Sequence, residues 1–207
     1  MVIGRKEHWE NIYQSQKTHQ HSWMQNNPTT SLELIGKSGI PKNAAIIDIG
    51  GGDSRLVDFL LREGYSDITV LDIAPASILR AEKRLGDDAQ KVKWIESDIL
   101  DFRPPGKYAL WHDRAAFHFL IEPEAVRRYM NILSTSVTGQ AIIGAFSTDG
   151  PDRCSGLPVK QYNEESLKAL FREYHFVKTE CKRSDHVTPG GVVQNFVYCA
   201  FQRNLIS

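Results

Sequence analysis

The sequence predicts an α/β fold in which a mostly parallel sheet carries helices on both faces. Two observations predict it. Over residues 1–146, short apolar runs alternate with segments whose apolar residues recur at helical spacing. The first strand-like run ends at an acid and turns through Gly50-Gly51-Gly52 into an amphipathic helix. Connections this short imply right-handed crossovers. A ligand then belongs beyond the carboxyl ends of the strands, where the strand order reverses.

The elements follow in order. Residues 1–40 read as helical cover over the ligand crevice. Residues 44–49 form the first strand. Residues 54–63 place Leu56, Val57, Leu60 and Leu61 on one helical face, and Gly64 closes that helix. Residues 67–71 are a strand. Residues 75–85 are a helix with Pro75 in its first turn and Gly86 after its end. Residues 92–96 and 108–112 are strands. Residues 123–134 are a helix, with Val126, Tyr129, Met130 and Leu133 at helical spacing. Residues 140–146 are the fifth strand. Asn163 opens another helix, with Glu164 and Glu165 in its first turn. Residues 176–183 and 192–201 read as antiparallel neighbours joined at Pro189-Gly190-Gly191. No repeat or linker interrupts the 207 residues, which suit one domain.

Composition narrows the function classes. Lys plus Arg and Asp plus Glu both number 25, so the formal net charge is zero. A balanced chain gives no charge footprint for a nucleic-acid backbone or an anionic membrane. No apolar run approaches the roughly 18 residues of a membrane span, and residues 1–7 lack the apolar core of a signal peptide. Cys154, Cys181 and Cys199 are an odd number without a CxxC motif. They read as reduced, buried thiols in a cytoplasmic protein rather than as a metalloid-binding trio. His19 and His21 have no carboxylate at ligand spacing, so no metal is expected.

The glycine turn marks a cofactor site. Glycines remove the Cβ atoms that would keep a ligand away from the backbone. The helix behind them offers free N–H groups and the positive end of its dipole. Dinucleotide sites have the spacing G-x-G-x-x-G. Gly50 and Gly52 supply two positions, but Arg55 stands at the third. What remains is acid-x-Gly-x-Gly, with Asp48 as the acid. Two more acids follow strands. Asp72 ends the second strand, where a carboxylate can accept from ribose hydroxyls. Asp98 follows the third, where it can accept from an exocyclic adenine amine. A nicotinamide dinucleotide gives Asp98 no comparable role. Asp48 can equally be a structural acid bonded to turn amides, and Asp98 a cap.

This order of residues resembles the class I S-adenosylmethionine-dependent methyltransferases along most of the chain. The resemblance implies a Rossmann-like three-layer sandwich with a seven-stranded, mostly parallel sheet and an antiparallel last strand, here residues 192–201. It implies S-adenosylmethionine as cofactor, leaving as S-adenosylhomocysteine. Asp48, Gly50 and Gly52 would surround the methionine half, Asp72 and Ile73 the ribose, and Asp98 and Ile99 the adenine. Arg55 is a cation at a helix N-terminus, otherwise a poor place for one, and can meet the cofactor carboxylate. Trp23 can offer its ring face to the sulfonium.

The segment Trp111-His112-Asp113-Arg114-Ala115-Ala116-Phe117-His118 follows the fourth strand. Asp113-Arg114 is similar to the Asp-Arg segment of thiopurine S-methyltransferases and related small-molecule methyltransferases. That likeness implies a place beside the methyl group, with Arg114 on the acceptor. Arg114 can instead pair with Asp113 or Asp149. Trp9, Tyr13 and Ser22-Trp23-Met24-Gln25 resemble both that group and certain eukaryotic protein-lysine methyltransferases. Methyl transfer from a sulfonium is an in-line displacement, so alignment is the main requirement. An oxygen or ammonium acceptor also needs a base. His112, Asp113 and His118 are the candidates, although His118 between Phe117 and Phe119 reads first as a packed side chain. The expectation is a single-domain methyltransferase acting on a small molecule, with a protein lysine as the second acceptor. A non-catalytic S-adenosylmethionine-binding module is the alternative of another class, and an NAD-dependent oxidoreductase comes last.

Overall fold

A computed structural model describes residues 4–15 and 21–204. The elements are α1 (Arg5–Ser15), α2 (Thr29–Ser38), β1 (Ile46–Ile49), α3 (Leu56–Arg62), β2 (Ile68–Asp72), α4 (Pro75–Leu85), β3 (Val92–Glu96), β4 (Tyr108–Arg114), α5 (Pro123–Ser136) and β5 (Val137–Phe146). A small hairpin, β6 (Arg153–Cys154) and β7 (Leu157–Pro158), precedes α6 (Glu164–Glu173), β8 (Phe176–Val187) and β9 (Val193–Arg203).

Seven strands form one sheet in the order β3-β2-β1-β4-β5-β9-β8. β1 pairs in parallel with β2 and with β4, setting Ile46 opposite both Ile68 and Leu110. β9 runs antiparallel between β5 and the edge strand β8. Every residue of β1 and β2 is buried, because helices cover both faces of a parallel sheet. Alternation along β4 sends Leu110 to the core under α2 and α3, and Trp111 to the core under α5 and α6. Strand order reverses at β1, so a crevice opens beyond the ends of β1 and β4.

Helix α6 starts where the sequence places it. Asn163 Oδ1 accepts from the Ser166 amide at 2.8 Å, and Ser166 Oγ accepts from the Asn163 amide at 2.9 Å. β8 extends four residues past its expected end, to Val187. Its outer half, Lys182-Arg183-Ser184-Asp185, is polar because it is a sheet edge, and charge guards such edges against further pairing.

The expected cover divides in two. Helix α1 packs on α4 at the crevice. Helix α2 belongs to the sandwich instead, burying Leu34 and Ile35 with Leu56, Val57 and Leu60 of α3. The thiols also need correction. Cys181 and Cys199 face each other across β8 and β9 and form a disulfide, with Cα atoms 4.1 Å apart. Antiparallel register, rather than motif spacing, brings them together. The cytoplasmic expectation thereby loses its support from reduced cysteines. Cys154 is free and buried. Among the described residues no helix is long and apolar enough to cross a membrane, and no group of three or more His, Cys, Asp or Glu is placed to hold a metal. His19 lies outside the described residues.

Candidate functional site

A cleft open to solvent lies beyond the ends of β1 to β4. Its lining includes Gly50, Asp72, Ile73, Asp98 and Ile99 from the strand ends. Trp9, Trp23, Arg114, Phe119 and Cys154 border the same space, the three aromatics in contact through Trp9. Seven of the residues singled out in the sequence therefore border one space: Trp23, Gly50, Asp72, Ile73, Asp98, Ile99 and Arg114.

The glycine turn shapes the lining at the strand ends. Gly50 has φ +64, and a Cβ there would stand 2.9 Å from the Ala116 Cβ. A Cβ on Gly52 would stand 2.3 Å from Asp72 Oδ2 and 2.4 Å from Ser77 Oγ. Gly52 thus lets the turn close on Asp72 rather than lining the cavity itself. Asp72 is buried and accepts from the Ala74 amide at 2.8 Å. Burial pushes its carboxyl up to about 6, with the Asp48 charge adding to the rise and hydrogen bonds from Ala74 and Ser77 opposing it. Asp98 accepts from the Leu100 amide at 2.9 Å through Oδ1. Its Oδ2 pairs with Arg5 Nη2 of α1 at 2.8 Å.

Asp48, His112, Asp113, Arg55 and His118 lie outside the lining. Asp48 Oδ1 and His112 Nδ1 are 2.7 Å apart, and His112 Nε2 lies 2.8 Å from Ser31 Oγ of α2. This buried chain fastens α2 to β4 and β1, so both ring nitrogens of His112 are already engaged. Asp113 Oδ1 accepts from the Ala116 and Phe117 amides at 3.1 and 2.9 Å, while Oδ2 accepts from Tyr129 Oη at 2.8 Å. Burial holds Asp113 at about 6 against these bonds. It builds the turn after β4, in which Ala115 has φ +65. Arg55 stands at the N-cap of α3, beyond the turn and outside the cavity lining. The far side of that turn packs on α4, where Arg84 bonds Asp53 and Asp58. His118 is fully buried, and its Nδ1 accepts from the Phe146 amide at 3.2 Å. Burial, then Arg114, lowers it to about 3, so it is a neutral packed side chain.

The aromatic wall is built from distant segments. The Trp9 ring meets Phe119 edge-on at 4.9 Å and Trp23 at 5.7 Å. Residues 21–23 are fastened one after another. Arg80 Nη1 lies 3.3 Å from His21 Nε2, His186 Nε2 donates to Ser22 O at 2.6 Å, and Arg114 Nη1 donates to Trp23 O at 2.8 Å. Arg114 Nε also donates to Tyr198 Oη at 3.0 Å, and its guanidinium lies 5.1 Å from the centre of the Phe196 ring. Arg114 Nη2 is buried with no hydrogen-bond partner. Neither Asp113 nor Asp149 pairs with it; Asp149 is bonded to Arg183. Sequence reasoning missed Arg5, Phe119 and Cys154 as lining. Only their arrival from α1, the turn after β4 and the small hairpin β6–β7 brings them to the cavity.

Comparison with known proteins bears on this geometry. Residues 46–136 match the family described as "Methyltransferase domain". The chain is 28% identical over 151 residues to malonyl-[acyl-carrier protein] O-methyltransferase 1 of Ilyobacter polytropus, covering 72% of this chain and 54% of that protein. It is 29% identical over 112 residues to EEF1A lysine methyltransferase 2 of Mus musculus, covering 50% and 45%. The chain thus spans about half the length of the curated relatives it matches. Burkholderia thailandensis 1,6-didemethyltoxoflavin-N1-methyltransferase, solved with 1,6-didemethyltoxoflavin and S-adenosylhomocysteine, superimposes with a TM-score of 0.68 at 20% identity, over 86% of this chain and 77% of that one. The N-methyltransferase NodS of Bradyrhizobium japonicum, solved with S-adenosylhomocysteine, gives 0.70 at 16% identity, over 94% and 97%. These structural likenesses establish the shared fold.

Proposed function

We propose, from the premise that the chain carries a class I S-adenosylmethionine-dependent methyltransferase domain, that it transfers the methyl group of S-adenosylmethionine to a small-molecule acceptor. The observation that carries this reading is one cavity bordered both by the acids Asp72 and Asp98 and by Trp9, Trp23, Phe119 and Arg114.

The residues present fit the cofactor. Asp72 is a desolvated carboxylate on the cavity wall, and ribose hydroxyls would restore donors that burial has removed. Asp98 and Ile99 suit an adenine amine and ring face. Gly50, without a side chain, leaves room for the methionine half. S-adenosylmethionine, when bound, supplies a methyl group already activated on a sulfonium. The protein's own part is alignment and exclusion of water. Trp9 and Trp23 wall the space, with Trp23 stacked on His21 on one side, and an aromatic wall suits a cation. Among the described lining residues there is no imidazole, and the two carboxylates, Asp72 and Asp98, are those assigned here to the cofactor. The acceptor atom therefore arrives with its lone pair free, as a thiolate, an oxyanion or a neutral amine. A lysine ammonium would approach Arg114, a like charge, which favours a small acceptor over a protein lysine.

Calorimetry with S-adenosylmethionine, S-adenosylhomocysteine and NAD tests the cofactor; NAD binding without sulfonium binding would sink the reading. A radiolabelled-methyl assay run in parallel on a metabolite extract and a protein extract tests the acceptor. Label in the protein fraction would favour the lysine reading suggested by the mouse relative. Cofactor binding with no transfer to either extract would leave a non-catalytic binding module.

A further inference from the structure

We propose that the acceptor is a planar molecule bearing an anionic group, a carboxylate or equivalent oxyanion, and that Arg114 binds that group. The proposal rests on the reading of the cavity as a methyl-transfer site and names the substrate class it takes.

Arg114 borders the cavity together with Trp9, Trp23 and Phe119. Its guanidinium is held in one orientation from two sides. Nε is committed to Tyr198 Oη and Nη1 to the Trp23 carbonyl, and the plane lies over Phe196. The third nitrogen, Nη2, is buried and has no acceptor. Buried donors in folded proteins are ordinarily satisfied, so an unsatisfied one beside a cavity points to a ligand acceptor. The charge is equally uncompensated. Among the described residues no carboxylate forms an ion pair with Arg114, because Asp113 is spent on the turn after β4 and Asp149 on Arg183. An arginine keeps its charge, and its weakly hydrated planar fork matches carboxylates. The same charge acts on its surroundings, helping to hold the buried His118 and His186 in their neutral forms. The counter-charge is therefore left to the ligand. The walls are aromatic, Trp9 meeting Trp23 and Phe119 edge-on at 82° and 79°, and aromatic walls suit a planar acceptor.

The cofactor also carries a carboxylate, on its methionine half, and the test must separate the two sources. The full chain is saturated with S-adenosylhomocysteine and titrated by calorimetry with benzoate and salicylate, and with benzamide and salicylamide as neutral counterparts. The expected result is that the acids bind about tenfold more tightly than the amides. Arg114→Met is expected to bring that ratio to within about twofold, and Arg114→Lys to keep part of it. Equal binding of acid and amide by the wild type overturns the proposal. So does undetectable acid binding. A large loss of S-adenosylhomocysteine affinity in Arg114→Met, with the acid preference intact, also overturns it and assigns Arg114 to the cofactor carboxylate. If Arg114→Met does not fold, the wild-type ratio and Arg114→Lys decide. If the wild type does not bind S-adenosylhomocysteine, the methyl-transfer reading falls separately, and the acid-to-amide ratio of the cofactor-free chain still tests Arg114.

Discussion

Arg5 Nη2 lies 2.8 Å from Asp98 Oδ2, so the N-terminal helix holds the carboxylate that an adenine amine would take. The pair is partly solvated, with side chains 41% and 20% exposed, which limits its worth to about 0–1 kcal/mol. Arg5→Ala is therefore expected to speed S-adenosylhomocysteine association in stopped-flow mixing and to change equilibrium affinity less than about fivefold. Slower association would make Arg5 a cofactor ligand rather than a competitor.

Asp72 gives the cofactor affinity a pH dependence. Its carboxyl is raised to about 6 in the folded chain, so it is largely protonated at pH 5 and charged at pH 7. Ribose hydroxyls donate to the charged form, so affinity should rise as pH climbs through 6. For the cofactor-free fold the sign is opposite. A carboxyl that binds its proton more tightly when folded costs stability as pH rises from about 4 to 6. Asp72→Asn should flatten both profiles, read by calorimetry and by urea denaturation, and weaken binding at pH 7 by roughly 1–3 kcal/mol. A binding curve unchanged in Asp72→Asn would remove Asp72 from the site.

Gly52→Ala separates the turn from the cavity. The new methyl would lie 2.3 Å from Asp72 Oδ2 and 2.4 Å from Ser77 Oγ, so Asp72 must move. Cofactor affinity should fall about tenfold or more while the far-ultraviolet spectrum is retained. Wild-type affinity would mean that the position of Asp72 is immaterial.

Both ring nitrogens of His112 are engaged, by Asp48 and Ser31, which predicts a fastening role. His112→Phe leaves Asp48 buried beside an apolar ring, and is expected to lower stability by about 2–3 kcal/mol in urea denaturation. The pH profile of the remaining methyl transfer should keep its shape. An inflection lost from that profile would restore His112 as a proton acceptor.

The disulfide ties the edge strand to β9. Cys181→Ser with Cys199→Ser, or reduction of the wild type, is expected to cost about 2–4 kcal/mol of stability. An unchanged denaturation midpoint under reducing conditions would show that strand pairing alone holds β8.

What was legible in the sequence was local. Asp48 and Asp72 lie at the ends of β1 and β2, the three glycines just after β1 and Asp98 just after β3, where local chain geometry decides which way they face. His112 and Asp113 were misplaced because their surroundings are not local. Ser31 comes from α2 to claim the imidazole, and Tyr129 from α5 to claim the carboxylate. Arg114 was legible as a site residue but not as an unpaired charge. That depends on where Asp149 and Arg183 meet, which only the β8–β9 hairpin determines. The two cysteines were opaque for the same reason, since one residue of slip in the register would separate them.

The bond from Arg114 to the Trp23 carbonyl has a consequence for how such an enzyme diversifies. One side chain holds the wall of the chamber and also faces its contents. A replacement at 114 that suits a new acceptor would also release residues 21–23, so the two properties are inherited together. Variation in what the chamber accepts should accumulate instead at Phe119, which lines it without bonding that segment.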